Sequence, residues 1–207
     1  MKVSVILAHP KKGSFNHAIA AACVKVLGER GYEVNFHDLY AEGFAALLPV
    51  GELRRDAALP SEIARHCEEI VAAAGIVIVH PNWWGQPPAI MKGWVDRVMR
   101  PGVAYEFKEG DQGEGVPKGL LPARSAVVFN TSNTDAAREK AVFGDPLELI
   151  WKNCIFDLCG VRDFSRRTFG VLVTSTAEQR EAWLAEVAGV IEKHYPRLTA
   201  NKGPGLR

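Results

Sequence analysis

An α/β fold, with a five-stranded parallel sheet and helices on both faces, is predicted by two features of the chain. Short apolar runs rich in Val and Ile, without polar alternation, recur between longer segments of helical period. Strands buried on both faces between crossover helices read in this way. A length of 207 residues with 47% hydrophobic content suits one domain around one sizeable core. Residues 1–200 are therefore read as a single domain and residues 201–207 as a disordered tail.

The order reads as five βα repeats. Strands are expected over residues 3–8, 33–38, 75–80, 125–130 and 166–171. The first helix opens with Ser14 as its cap, puts Ile19, Cys23, Val26 and Leu27 on one face and stops at Gly31. The second follows Pro60-Ser61, with Ile63, Cys67, Ile70 and Val71 in register. The third follows Pro87-Pro88, with an apolar stripe of Ile90, Met91, Trp94, Val95 and Val98. A fourth is expected from about Asp145 to Leu158 and a fifth from about Ala177 to Tyr195, ahead of Pro196. Residues 109–119 form a Gly-rich, charged excursion. This architecture is the flavodoxin-like three-layer sandwich, in which ligands sit at the carboxyl ends of the strands beside the switch point.

Composition narrows the function. Lys plus Arg (25) and Asp plus Glu (24) nearly cancel, so there is no cationic field for nucleic acid or anionic lipid. No run approaches the roughly 20 apolar residues of a membrane span, and the N-terminus reads as a strand rather than a leader. A soluble, cytoplasmic protein without membrane insertion is the expectation. Cys23, Cys67, Cys154 and Cys159 have no CxxC spacing and are read as buried free thiols, with no metal site expected.

Three loops at the strand ends carry the chemistry. The first, His9-Pro10-Lys11-Lys12-Gly13-Ser14-Phe15-Asn16, leads into a helix. Its free amides, helix dipole, Ser14 hydroxyl and His9 imidazole can converge on a phosphate. Neither GxxxxGK[ST] nor GxGxxG is present there, and Gly113-Glu114-Gly115 follows no strand. The second, Pro81-Asn82-Trp83-Trp84-Gly85-Gln86-Pro87-Pro88, holds two adjacent indoles that cannot both point inward. Exposed flat aromatics on a Pro-stiffened loop suit a tricyclic ring such as isoalloxazine. The third, Thr131-Ser132-Asn133, offers small polar groups to the pyrimidine edge of such a ring, which becomes anionic on reduction. Residue by residue, plainer readings stay open: a capped helix with solvated lysines, one core and one subunit-contact tryptophan, and a polar turn without ligand. His80, at the end of the buried strand, is read as structural.

Taken together these residues resemble the flavodoxin-like NAD(P)H:quinone oxidoreductases, of the small bacterial type. The resemblance rests on His9-Pro10 with Ser14-Phe15-Asn16, then Pro81-x-Trp83-Trp84-x-x-Pro87-Pro88-Ala89-Ile90-x-Lys92-Gly93-Trp94-x-Asp96-Arg97-Val98, then Gly102-x-Ala104-Tyr105-x-Phe107, and runs through Cys159-Gly160-Val161. It implies a flavin-dependent two-electron reductase, commonly a homodimer, passing hydride from NAD(P)H via flavin to a quinone or similar small electrophile. It also implies that His9, Ser14, Phe15 and Asn16 bind the flavin phosphate and ribityl chain. Pro81, Asn82, Trp83 and Trp84 would contact isoalloxazine, and Thr131, Ser132 and Asn133 its pyrimidine edge. Tyr105 and Phe107 would line the acceptor side or the dimer contact.

The third loop departs from the animal members of the family, which carry Thr-Thr-Gly-Gly followed by a tyrosine and a histidine. Residues 135–143 contain neither. Asn133 and Arg138, or Lys140, are the remaining candidates to balance charge on the reduced ring. FMN, with FAD as the alternative, is the expected cofactor, because nothing beyond the first phosphate loop offers an adenosine surface. Two non-catalytic readings compete: an electron carrier, disfavoured by the near-neutral charge, and a redox-sensing ancillary subunit of an ion transporter.

Overall fold

The computed structural model describes residues 1–198 except Glu109, Gln112 and Gly113. The expected tail at 201–207, and part of the Gly113-Glu114-Gly115 run, lie outside the described residues. Five parallel strands form the sheet: β1 (Lys2–Leu7), β2 (Glu33–Asp38), β3 (Ala73–Pro81), β6 (Ser125–Thr131) and β7 (Asp163–Phe169), in the order β2-β1-β3-β6-β7. A two-stranded antiparallel ribbon, β4 (Tyr105–Glu106) with β5 (Lys118–Gly119), stands apart within the charged excursion. The chain steps from β1 to β2, then back across β1 to β3. That reversal is the switch point at which a crevice opens beyond the strand ends.

Strand alternation builds two cores from one sheet. Val3, Val5 and Leu7 of β1, Val77 and Val79 of β3, and Val127 and Phe129 of β6 point to one face. There they meet α1 (Phe15–Glu29) and α6 (Ala177–His194). Ile6, Ile76, Ile78, Ala126 and Val128 point to the other face. They meet α2 (Ser61–Ala72), α3 (Ala89–Val98) and Trp151 of the helical stretch that begins with α5 (Pro146–Leu149). Burial on both faces explains why these strands show no polar alternation.

Several expectations need correction. The last strand starts and ends earlier than 166–171, because it is an edge strand carrying Arg166 and Arg167, and the apolar signal used to place it comes from the turn beyond. The fourth helix begins at Pro146 but widens into π-type turns over Ile150–Asp157. A further helical segment went unread: α4 (Ala136–Arg138), continuing as a π turn over Glu139–Phe143. It is short and apolar on neither face, so periodicity carries no trace of it. Val71 falls off the packed face of α2 and is exposed, and Cys154 is an exposed thiol, unlike Cys23, Cys67 and Cys159.

Arg97, within the Lys92 to Val98 signature, pairs through both its Nε and Nη2 with buried Glu52 and also reaches the carbonyl of Ala45. Arg100 adds hydrogen bonds to the carbonyls of Glu52 and Arg54. This part of the signature fastens the 45–54 segment to α3 rather than touching a ligand. Gly93 permits that approach: a Cβ there would lie 2.1 Å from the carbonyl oxygen of Ala46. Helix propensity alone favours Ala over Gly by about 1 kcal/mol. Gly93→Ala is nevertheless expected to destabilise by about 1–3 kcal/mol through overpacking. Gly28→Ala in α1, whose Cβ would meet nothing within 4 Å, should be neutral or stabilising. Urea midpoints of the two variants test the contrast.

Candidate functional site

The loops after β1, β3 and β6 converge on one cleft of about 530 Å³ at the carboxyl edge of the sheet. His9, Pro81, Asn82, Trp83, Trp84, Thr131, Ser132, Asn133 and Arg138 line it, joined by Glu139, Phe143, Pro146 and Leu172, which the sequence reading did not place there. Pro81 and Thr131 are not loop residues but the last ladder pair of β3 and β6. Asn82 N–H extends that ladder by donating to the carbonyl of Thr131 at 2.7 Å. Asn16 is fully buried, and its Nδ2 donates to Thr131 Oγ1 at 2.9 Å, fixing the first turn of α1 against the end of β6. The His9 and Trp83 rings lie 6.2 Å apart, centre to centre.

The first loop differs in detail from the expectation. Ser14 occupies the N-cap position of α1, yet its side chain caps no backbone amide. Its Oγ lies 2.8 Å from His17 Nδ1 instead. The N-terminus of α1 thus has no side-chain cap, as in α2, α3 and α5, and no acidic residue in its first turn. The Phe15 and Asn16 amides have no carbonyl ahead of them in the helix, whereas His17 N–H already donates to Ser14 O. Phe15 turns its ring away from the cleft to pack on Phe169 and Trp183. Only its backbone remains for the loop.

The second loop is a tight hairpin. Trp83 and Gln86 exchange both backbone hydrogen bonds, at 3.1 and 3.0 Å, and Asn82 Oδ1 accepts from Gly85 N–H. Trp84 (φ 57°) and Gly85 (φ 70°) are both left-handed. A tryptophan at such a position costs roughly 1–2 kcal/mol. Trp84 is 100% exposed and Trp83 41%, so neither indole is core. The reading of one buried tryptophan is overturned, because the left-handed tip swings the second indole into solvent.

In the third loop, two of the expected main-chain donors are already engaged: Ser132 N–H bonds to Phe169 O, and Thr134 N–H to Ser132 Oγ. Asn133 Oδ1 accepts from Val173 N–H, which leaves its Nδ2 as a donor. Arg138 sits on the cleft wall with its guanidinium carbon 5.8 Å from the centre of the Phe143 ring. Lys140 does not line the cleft. Asn82 Nδ2 donates to Glu139 Oε1 at 3.1 Å, closing the wall against the hairpin.

Behind the wall lies a buried polar relay. His80 Nδ1 donates to the carbonyl of Pro81 at 2.8 Å, and its Nε2 accepts from Trp151 Nε1 at 2.9 Å. Arg166 joins Asn130 Oδ1, Glu148 and Asp145, tying β7 to the segment that carries Pro146. His80 is thus structural, as read. His37, Glu42 and His66 also gather closely enough to suggest a cation. Trp94 Nε1 donates to His66 Nδ1, however, so His66 Nε2 holds the ring proton and has no lone pair for a metal. Among the described residues, no helix is long and apolar enough to cross a membrane.

The chain belongs to the flavodoxin-like fold family, whose model matches residues 1–194. Within it, the chain is an oxidoreductase of the NAD(P)H dehydrogenase (quinone)-like kind by kinship. It is 32% identical over 201 residues to an uncharacterized NAD(P)H oxidoreductase of Haemophilus influenzae, covering 95% of each chain. It is 30% identical over 207 residues to the ribosyldihydronicotinamide dehydrogenase [quinone] of Rattus norvegicus, covering 89% of this chain and 87% of that one. In structure it matches the NAD(P)H:quinone oxidoreductase of Methanothermobacter marburgensis with a TM-score of 0.80 at 24% identity, covering 93% and 96%. This last likeness concerns the fold.

Burial, above all, pushes the His80 imidazole down to about 4; the hydrogen bond to Pro81 opposes this and the Arg166 charge adds to it. The unfolded ring titrates near 6.5. Between those values the unfolded chain holds the extra proton, so His80's contribution to stability is complete above about pH 6.5. It is lost as pH falls toward 4, by up to about 1.4 kcal/mol per unit. Urea midpoints measured down this range should decline, and His80→Asn, though less stable at neutral pH, should decline less steeply.

Proposed function

We propose that the chain is a flavin-dependent reductase that takes hydride from NAD(P)H and passes two electrons to a quinone or similar small electrophile, with FMN as its cofactor. The observation that carries this reading is the convergence of His9, two outward indoles and a polar turn on one cleft, with the first turn of α1 tied to its edge through Asn16 and Thr131. The donor set suits FMN. A phosphate is matched by the amides of Phe15 and Asn16, Ser14 and the His9 ring, whose Nδ1 accepts from Lys11 N–H so that Nε2 carries the proton as a donor. Gly13 leaves open space where a Cβ would stand.

The bound flavin supplies the hydride-accepting and hydride-donating ring. The protein's work is binding and electrostatics. Pro81, Asn82 and Trp83 hold one side of the ring. Thr131, Ser132 and the free Nδ2 of Asn133 face its pyrimidine edge. Arg138 supplies positive charge where negative charge grows, the role that a tyrosine and histidine would otherwise fill. Trp84 and Phe143 form apolar rims against which nicotinamide and then acceptor can stack while water is excluded. Both are exposed. A second copy of the chain covering this rim is part of the proposal, as is a cytoplasmic location.

Purified protein should carry a yellow chromophore. Its release by denaturation should yield the FMN mass, and NAD(P)H oxidation should be rapid with a soluble quinone. A colourless chain that takes up no flavin would falsify the reading, and a yellow chain inert toward NAD(P)H would make it a carrier or sensor. Arg138→Ala should lower the two-electron potential of the bound flavin by about 30–60 mV, where 30 mV corresponds to about 1.4 kcal/mol. An unchanged potential would remove Arg138 from this role.

A further inference from the structure

The hydrogen bond that keeps Ser14 from capping α1 is the first link of a longer chain. Ser14 Oγ lies 2.8 Å from His17 Nδ1, and His17 Nε2 lies 3.1 Å from Asp38 Oδ2. Asp38 ends β2, and its other oxygen accepts from Ala41 N–H, which fixes the carboxylate. The imidazole and the carboxylate keep 20% and 17% of their side-chain surface exposed, so protons can exchange with solvent.

Hydrogen-bond polarity along this chain leaves two states. Asp38 as a carboxylate only accepts, so His17 Nε2 bears a proton in both. With a neutral ring, Nδ1 is bare and takes the Ser14 hydroxyl hydrogen. Ser14 then shows only lone pairs to the phosphate loop, the wrong polarity for an anion. With a proton added at Nδ1, the ring donates to Ser14 Oγ and the hydroxyl hydrogen turns outward as a donor. The positive charge of the ring, within the first turn of α1, adds to the attraction.

We propose that Ser14, His17 and Asp38 form a proton-coupled donor switch, in which binding of the flavin's terminal phosphate draws one proton from solvent onto His17 Nδ1. The inference rests on the flavin reading above and makes His17, which that reading does not use, a positioning residue acting through Ser14. By reciprocity, protonation of His17 strengthens phosphate binding as much as phosphate binding strengthens protonation.

The groups facing His17 are Asp38 from β2 and His9 from the loop after β1, with Ser14 at the cap of its own helix. The His9 ring stands edge-on at 6.3 Å. Its Nδ1 already accepts from Lys11 N–H, so its Nε2 is a donor in the neutral form and needs no added proton to meet an anion. Burial, above all, lowers its proton affinity; the Lys11 hydrogen bond opposes this, the charges of His17 and Lys11 add to it, and Asp38 opposes it weakly. His9 can thus meet an anion without an added proton, whereas the polarity of Ser14 changes only with a proton on His17 Nδ1.

Calorimetric titration of the full chain, freed of flavin, with FMN and separately with riboflavin is the test. Each titration is run at about pH 8, above the ordinary imidazole and phosphate-monoester ranges. Buffers of different ionisation enthalpy count the protons. The expected result is net proton uptake with FMN and none with riboflavin. FMN affinity should fall by up to about tenfold per unit of rising pH, the limit for one linked proton. His17→Gln should abolish the uptake while still binding riboflavin, and Ser14→Ala, with the imidazole intact, should reduce it. His9→Gln should leave it in place. Equal uptake in wild type and His17→Gln, or equal uptake with riboflavin, would overturn the switch while leaving the flavin reading intact. A chain that binds neither flavin defeats both.

Discussion

The buried hydrogen bond from Asn16 Nδ2 to Thr131 Oγ1 joins the first turn of α1 to the end of β6, positions 115 residues apart in the chain. Around it the cleft is assembled. Thr131 pairs with Pro81 across the ladder and its carbonyl accepts from Asn82, so all three strand ends hold one another in fixed register. An amide buried in this way is costly without a partner, so the loops cannot drift apart independently. The parallel sheet supplies the platform, and this polar clasp sets the spacing of the groups above it.

Two kinds of side chain share the signature and the strand ends and loops beside it, and the structure separates them. Arg97, Trp94 and His80 are buried and hold other parts of the chain in place: Arg97 the 45–54 segment, Trp94 the ring of His66, His80 the carbonyl of Pro81. Trp83, Asn133 and Arg138 face the cleft. Position in a motif does not tell these classes apart; burial and hydrogen-bond partners do.

The double winding was legible because Val and Ile runs buried on two faces leave an unmistakable pattern, and because Pro and Gly punctuate each strand end. The three loops were legible for the same reason. Other features left weaker traces. The edge strand β7 spends its positions on Arg166 and Arg167, whose partners lie far off in sequence at Asp145, Glu148 and Glu186. The cleft wall at residues 136–143 is too short and polar for periodicity. His17 looked like one more helical residue, since only the folded chain brings Asp38 beside it. A Ser at the cap position with a His three residues later was the available signal.

The hairpin tip at Trp84 has a consequence for how this chain tolerates change. A left-handed backbone position would be easier for glycine or asparagine, and an indole in water gains nothing from its own fold. Substitutions that relax this turn would therefore make a sturdier isolated chain. They would do so by deleting the largest apolar surface at the mouth of the cleft. Screening variants for heat resistance alone would select against whatever the indole meets there.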